Sequence, residues 1–314
     1  MRAARYAPSM SARRPPPWAI AAAGAALPWT WFALRELGGR VEAVAVALPL
    51  VVIAALVMLV GVALARREVL VVPAAVSVAI LGVVTIVGPR MPHTGPPPAS
   101  PIRMVSANVY VYNPTPGAAV DAMIAAGADV EVAVETSPAF RALIEERDAG
   151  HPYSVVDGQL VVRSRFPVAA MTDPPGVPAR RILRLTVEGP AGPFVLYAVH
   201  ALNPLSESTF GNQLVWVQRL RAAASRESLP VVMAGDFNMS DRQLGYRRLT
   251  SGLRDAITAA GWGHSTYPDG IWALLLLRID HVVMPEDWCA ARSLIVDIPG
   301  SDHDGLEVDV GPCP

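Results

Sequence analysis

Two apolar runs, residues 43–65 and 69–88, constrain this 314-residue chain more than any other feature. Neither holds a charged residue, and each is long enough to cross about 30 Å of hydrocarbon. A shorter apolar stretch, 18–34, precedes them; it is interrupted by Pro28, but its Trp18, Trp29 and Trp31 suit a helix end at a membrane interface. A cleaved signal peptide has one apolar region and a small-residue cleavage site, not three regions in succession. The pattern therefore predicts a three-helix membrane anchor over 18–90, behind a basic, proline-broken tail over 1–17.

Arginine placement sets the orientation. The tail has four Arg and the second turn has Arg66-Arg67, whereas the first turn balances Arg35 and Arg40 with Glu36 and Glu42. Excess positive charge stays in the cytoplasm, so three crossings deliver everything after residue 90 to the outer side. Residues 91–101, Met-Pro-His-Thr-Gly-Pro-Pro-Pro-Ala-Ser-Pro, read as a semi-rigid spacer holding the next domain a short distance off the bilayer.

Charge and cysteine content narrow what that domain does. All 26 basic residues are Arg, so no lysine nucleophile or phosphate-loop lysine exists. Residues 91–314 carry 17 Arg against 24 acids, which disfavours a scanner of duplex DNA, for which an electropositive face is expected. Cys289 and Cys313 form no Cys-x-x-Cys pair, which argues against structural zinc. They read as two unrelated thiols, with a disulfide open to them on the outer side of the membrane.

Within 102–314, strand-like runs fall at 102–109, 129–134, 159–163, 180–188, 193–200, 230–235, 278–284, 292–298 and 305–310. Helical patterns fall near 117–127, 137–148 and 206–227, with one or two short helices over 242–259. Many strands with interspersed helices predict α/β or α+β with two packed sheets. Polar residues close these apolar strands: Asn108, Glu135, His200, Asp236 with Asn238 in Gly-Asp-Phe-Asn, Asp280, and Asp302-His303 before the last strand. Each has a local structural explanation as a cap or a satisfied core group, but strand ends are where such sheets present a ligand site.

These types suit phosphoester hydrolysis. Hard oxygen ligands such as Asn108, Glu135 and Asp302 prefer Mg²⁺ or Mn²⁺, which polarises a phosphoryl oxygen. A histidine oriented by a carboxylate, here His303 beside Asp280, serves as general base. No Gly-x-Ser-x-Gly nucleophile or His-x-x-x-His zinc motif is present.

Ser-Ala-Asn108, Val-Glu135, Val-His200, Gly-Asp236-Phe-Asn238, Arg-Ile-Asp280-His and Ser-Asp302-His303 keep the order of the endonuclease/exonuclease/phosphatase (DNase I-like) superfamily, which the chain resembles over about 102–310. The resemblance implies an α+β, four-layer α/β/β/α sandwich. It makes Glu135 the main metal ligand with Asn108 beside it and Asp302 as a further contact. It has Asp236 position or deprotonate the attacking water, Asn238 hold the phosphate, His200 contact the phosphate or protonate the leaving oxygen, and Asp280 orient His303. Two departures stand out: Val134 where a Gln is common, and Arg163 where an apolar residue is usual.

Three spans followed by an outward-facing domain also resemble the membrane-anchored, VanJ-like teicoplanin-resistance subgroup, which would imply action on a lipid-linked pyrophosphate. The expected function is thus a membrane-anchored, metal-dependent phosphoesterase of the cell envelope, with the lipid bilayer and a phosphate-ester substrate as partners. An extracytoplasmic nuclease is the alternative, less favoured because of the acidic domain. A catalytically inactive binding module is disfavoured because Glu135, Asp236 and His303 are all present.

Overall fold

The computed structural model describes residues 15–66, 69–169, 181–203, 207–267 and 270–314. Most of the basic tail, Arg67 of the second turn and the greater part of the 164–179 loop lie outside the described residues.

The N-terminal part folds as helices α1 (Pro17–Leu34), α2 (Val41–Arg66) and α3 (Val72–Gly82). A π-helical turn, Val83–Val87, and a 3₁₀ turn, Gly88–Arg90, extend α3. Helix α2 buries a stripe at Ala45, Leu48, Val52, Ala55 and Leu59, the spacing of one helix face. Its opposite face is equally apolar yet exposed, at Ile53, Val57, Val60 and Leu64. A helix that is apolar all round needs an apolar surround. Gly24 of α1 lets the two helices meet, since a Cβ there would lie 2.6 Å from Met58. Two stretches, Val41–Ala65 and Val72–Arg90, are long and apolar enough to cross a membrane, with hydropathies of 3.0 and 2.1. Of the three expected spans, α1 is not among these: it falls short in hydropathy, with Pro17, Pro28 and three Trp among its 18 residues.

The remaining chain forms two six-stranded sheets. In chain order the strands are β1 (Ile102–Asn108), β2 (Val130–Val134), β3 (Tyr153–Asp157), β4 (Leu160–Ser164), β5 (Val168–Ala169), β6 (Ile182–Gly189), β7 (Gly192–His200), β8 (Val231–Asp236), β9 (Leu253–Asp255), β10 (Asp280–Pro285), β11 (Trp288–Val296) and β12 (Gly305–Pro312). One sheet runs β11-β12-β1-β2-β4-β3, the other β5-β6-β7-β8-β10-β9. Period-two alternation divides each strand between two layers. Met104, Val130, Val132, Leu196, Ala198, Val232 and Val282 meet between the sheets. Val105, Ala107, Ala133 and Val161 face α4 (Pro116–Ala126) and α5 (Pro138–Arg147). Val195, Tyr197, Val231 and Met233 face α6 (Glu207–Ala224) and α7 (Leu244–Leu249). This is the expected four-layer α/β/β/α sandwich, and α8 (Ala256–Ala260) packs beside β10 and β11.

Several local expectations are corrected. The short strands β3, β5 and β9 were not anticipated, and β11 begins at Trp288 rather than 292 because its first residues pair with the end of β12. That pairing sets Cys289 opposite Gly311 and brings Cys289 and Cys313 into a disulfide, with Cα atoms 4.9 Å apart, so they are not independent thiols. The proline-rich segment is not a free spacer. His93 N–H donates to the Thr258 carbonyl and Ala99 N–H to Pro312, which lays the segment along the sandwich.

The helices touch the sandwich directly. Arg247 Nη2 donates to Glu36 Oε1 at 2.9 Å, and Glu42 Oε2 accepts from the Leu244 N–H at 3.0 Å. Arg90 Nη1 donates to the Gly263 carbonyl at 3.0 Å, and its Nη2 donates to Leu276. The α1–α2 turn and the end of the α3 segment therefore dock on the same part of the domain.

Candidate active site

Register gathers the polar strand ends. In the second sheet His200 of β7 pairs with Asp236 of β8, and Asp236 pairs with Asp280 of β10, so three functional side chains sit side by side across adjacent strands. In the first sheet Asn108 ends β1 opposite Val134, and Glu135 follows directly. His303 precedes β12, which runs antiparallel to β1 and so starts at the same rim.

Backbone conformation at these ends is unusual. Tyr110, Glu135 and Asn238 have φ of 56°, 55° and 48°, the left-handed region that non-glycine residues rarely adopt, at a cost of about 1–3 kcal/mol each. Asn238 reaches Asp236 through this kink, not through strand alternation, because β8 stops at Asp236. Its N–H donates to Asp236 Oδ1 at 2.7 Å and its Nδ2 to Oδ2 at 3.2 Å. Gly235 serves close approach rather than a turn. It lies inside β8 with φ of 138°, where a Cβ would sit 2.0 Å from the Val199 carbonyl oxygen of β7.

Glu135, Asn108 and Asp236 form one contact set. Asn108 Nδ2 donates to Glu135 Oε1 and to Asp236 Oδ2, both at 3.1 Å, and its Oδ1 accepts from the Tyr110 N–H. His200 Nε2 lies 3.3 Å from Glu135 Oε1. Burial alone would raise the Glu135 carboxyl, but hydrogen bonds from His200 and Asn108 outweigh it and bring it to about 2. Asp236, buried and beside Asp280, is pushed up to about 6. His303 Nδ1 lies 2.8 Å from Asp280 Oδ2. Burial disfavours the imidazolium, yet the Asp280 carboxylate overrides it and holds His303 well above the usual histidine range.

All eight predicted residues except Asn108 and Asp280 line one cavity of about 490 Å³, and those two touch residues that do. Asp302 stands exposed at its rim, outside the carboxylate–histidine groups of the described residues; Asp236 is the acid beside Glu135. Glu135, His200 and Asp236 bring ligand-type atoms within 4.8 Å of one another, as do Asp236, Asp280 and His303. The carboxylates of Glu135 and Asp236 are hard oxygen donors, with Glu135 ionised at neutral pH, which fits a Mg²⁺-type cation, while Asn108 turns its Nδ2 to both of them. The cavity also admits residues that sequence reasoning missed: Val46, Tyr110, Arg181, Asn203, Gln243 and Tyr267. Arg181 Nη1 approaches His200 Nδ1 at 3.5 Å, and the Tyr267 ring lies 4.7 Å from that of His303. None of the six closes an apolar strand, the signal by which the others were found.

Oxygen donors gathered against a buried acid–histidine pair suit one class of chemistry above others, the metal-dependent hydrolysis of phosphate esters. Residues 105–303 match the Endonuclease/Exonuclease/phosphatase family, and the chain belongs to it. Solved structures share the fold at low identity. The endonuclease/exonuclease/phosphatase from Beutenbergia cavernae is 19% identical with a TM-score of 0.52, over 68% of this chain and 72% of that one. A humanized D. rerio TDP2 is 16% identical, TM-score 0.56, over 68% and 100%. Sphingomyelinase C from Streptomyces griseocarneus is 15% identical, TM-score 0.53, over 67% and 99%. No curated protein matches the chain.

Proposed function

We propose that this enzyme is a membrane-anchored phosphoesterase that hydrolyses a lipid-linked phosphate ester or pyrophosphate at the outer face of the membrane, as the VanJ-like architecture implied. The observation that carries this reading is the docking of the α1–α2 turn and of Arg90 on the part of the domain that bears the cavity. Such docking puts the site at the foot of two helices long and apolar enough to span a bilayer. The Cys289–Cys313 bridge supports an oxidising compartment and hence the outer face.

Glu135, with Asn108 and Asp236 beside it, would hold a Mg²⁺ or Mn²⁺ ion, and that ion supplies positive charge against the phosphoryl oxygen. Asp236, raised to about 6 within the buried group, would orient a water and take its proton. His303, which the sequence suggested as general base, is held protonated beside Asp280 and would instead present charge to a phosphoryl oxygen. Asn238 fixes the Asp236 carboxylate through two hydrogen bonds, and His200 stands beside Glu135 to meet the phosphate or the leaving oxygen. Asp302, at the rim, is left to contact the cation from the solvent side.

The test offers the full chain, in detergent with Mg²⁺, a polyprenyl pyrophosphate, a water-soluble phosphomonoester and plasmid DNA. The lipid pyrophosphate should be turned over fastest, and a chelator should abolish the reaction reversibly. Nicking of DNA with the lipid untouched would replace this reading with that of a nuclease.

A further inference from the structure

The cavity is not walled by the sandwich alone. Val46, on the second turn of α2, borders it together with Gln243, Leu277 and Ile279. The buried Arg242 guanidinium fixes this edge. Pro49 has no N–H to give to the Ala45 carbonyl four residues before it. That carbonyl instead accepts from Arg242 Nε at 3.0 Å. The same side chain donates from Nη1 to the Leu276 carbonyl at 3.1 Å and from Nη2 to Leu275 at 2.9 Å. Arg242 thus clamps the start of α2 to the leucine-rich segment ahead of β10 across one side of the cavity mouth. Leu276 holds the left-handed conformation, φ 50°, and its carbonyl also accepts from Arg90.

Two features of this edge point to a ligand. Leu274 and Leu276 are exposed beside a helix of membrane-spanning length. Gln243, 2% exposed and bordering the cavity, has its Oε1 engaged by the Ser240 N–H at 2.8 Å, while its Nε2 has no hydrogen-bond partner among the described residues. A buried amide donor left without an acceptor costs stability unless something else supplies one.

We propose that α2 is a wall of the substrate site. The hydrocarbon part of the substrate leaves the cavity between Val46 and the Leu277–Ile279 edge, and Gln243 Nε2 donates to a substrate oxygen between the scissile phosphorus and that chain. This rests on the lipid-linked reading above and extends it: the anchor selects the substrate as well as tethering the enzyme. Val46, Leu277 and Ile279 read the chain, and Gln243 reads the polar junction.

The test uses Val46→Cys in the full chain, reconstituted in vesicles with Mg²⁺. Both native cysteines are bridged, so the new thiol reacts alone. It is measured before and after coupling a bulky alkyl thiosulfonate, on a long-chain polyprenyl phosphate ester and on a short-chain, water-soluble ester of the same phosphate group. Coupling should lower the long-to-short ratio of kcat/KM at least tenfold, chiefly through KM, within one already folded protein. Gln243→Leu should raise KM for the long-chain ester about fivefold or more. An unchanged ratio after coupling overturns the proposal while leaving the lipid reading intact. An uncoupled chain that hydrolyses no lipid ester overturns both.

Discussion

The two ends of β2 carry the same kinds of residue in opposite settings. At its start Glu131 lies with Asp148 and His151, and just past its end Glu135 lies with His200 and Asp236; each group brings its ligand-type atoms within 4.8 Å. Around Glu131 the charges are closed within the protein. Arg163, its cross-strand partner on β4, donates to Asp148 at 2.9 Å. His151 faces acceptors at both nitrogens, Asp148 Oδ2 at 2.5 Å and the Ala128 carbonyl at 3.0 Å, so neither nitrogen is open to a metal. Around Glu135 three acids, with Asp236 and Asp280, face His200, His303 and the amides of Asn108 and Asn238, on the wall of an open cavity. The arginine that departs from the usual apolar residue marks the sealed group. What distinguishes a site from a sealed core cluster is charge with access to solvent, not residue type.

The comparison can be broken most sharply at the open end. Glu135→Ala and His303→Ala should each lower turnover by about 10²–10⁴-fold, the scale of losing a metal ligand or a positioned proton-transfer or charge-bearing group. Helix and sheet content by circular dichroism should stay unchanged. Retained turnover in either would remove that residue from the chemistry.

At the sealed end the loss is expected in stability instead. Arg163→Met removes the guanidinium paired with buried Asp148, leaving His151 alone to offset Asp148 and Glu131, and should cost about 3–5 kcal/mol in chemical denaturation, as breaking a buried ion pair does. Turnover per folded molecule should persist. Reducing the Cys289–Cys313 bridge should cost about 3 kcal/mol, because it frees a loop spanning 24 residues in the unfolded chain.

The smallest effect has the opposite sign. Both Glu131 oxygens are buried without hydrogen-bond partners, and burial raises its carboxyl above the usual range. A raised folded-state value means that the ionised group opposes folding at high pH, and the penalty fades as pH falls through that value. Below about 4.3, the unfolded value, both states are protonated and the penalty is gone. Glu131→Gln should therefore stabilise the protein by about 1 kcal/mol near pH 7.5 and change little below pH 4, measured by denaturation at the two pH values.

Strand ends were the legible part of the site. Asn108, Glu135, His200, Asp236 and Asp280 each close or open an apolar run; register sets His200, Asp236 and Asp280 side by side in one sheet and Asn108 beside the end of β2 in the other, and the packing of the two sheets brings Asn108 to Asp236. The sandwich was legible for the same reason, since period-two alternation separates an inner layer from two outer ones. Strands β3, β5 and β9 escaped because they are short or partly exposed and carry little apolar signal. The disulfide stayed an open alternative because it depends on the β11–β12 register, which the sequence alone does not print. Val46 and Gln243 escaped because their meeting depends on contacts such as that of Arg242 with Ala45, 197 residues apart in the chain. Asp302 was read as a further metal contact beside Glu135, and the turn before β12 sets it exposed at the rim of the cavity.

The central claim is that the group around Glu135, and not its counterpart around Glu131, holds the divalent cation. Titrating Mn²⁺ into the full chain, into Glu135→Gln and into Glu131→Gln, with bound ion followed by electron paramagnetic resonance, tests it directly. Binding in the wild type and in Glu131→Gln, with loss in Glu135→Gln, is the result this account predicts. Binding that survives Glu135→Gln and disappears in Glu131→Gln would contradict it.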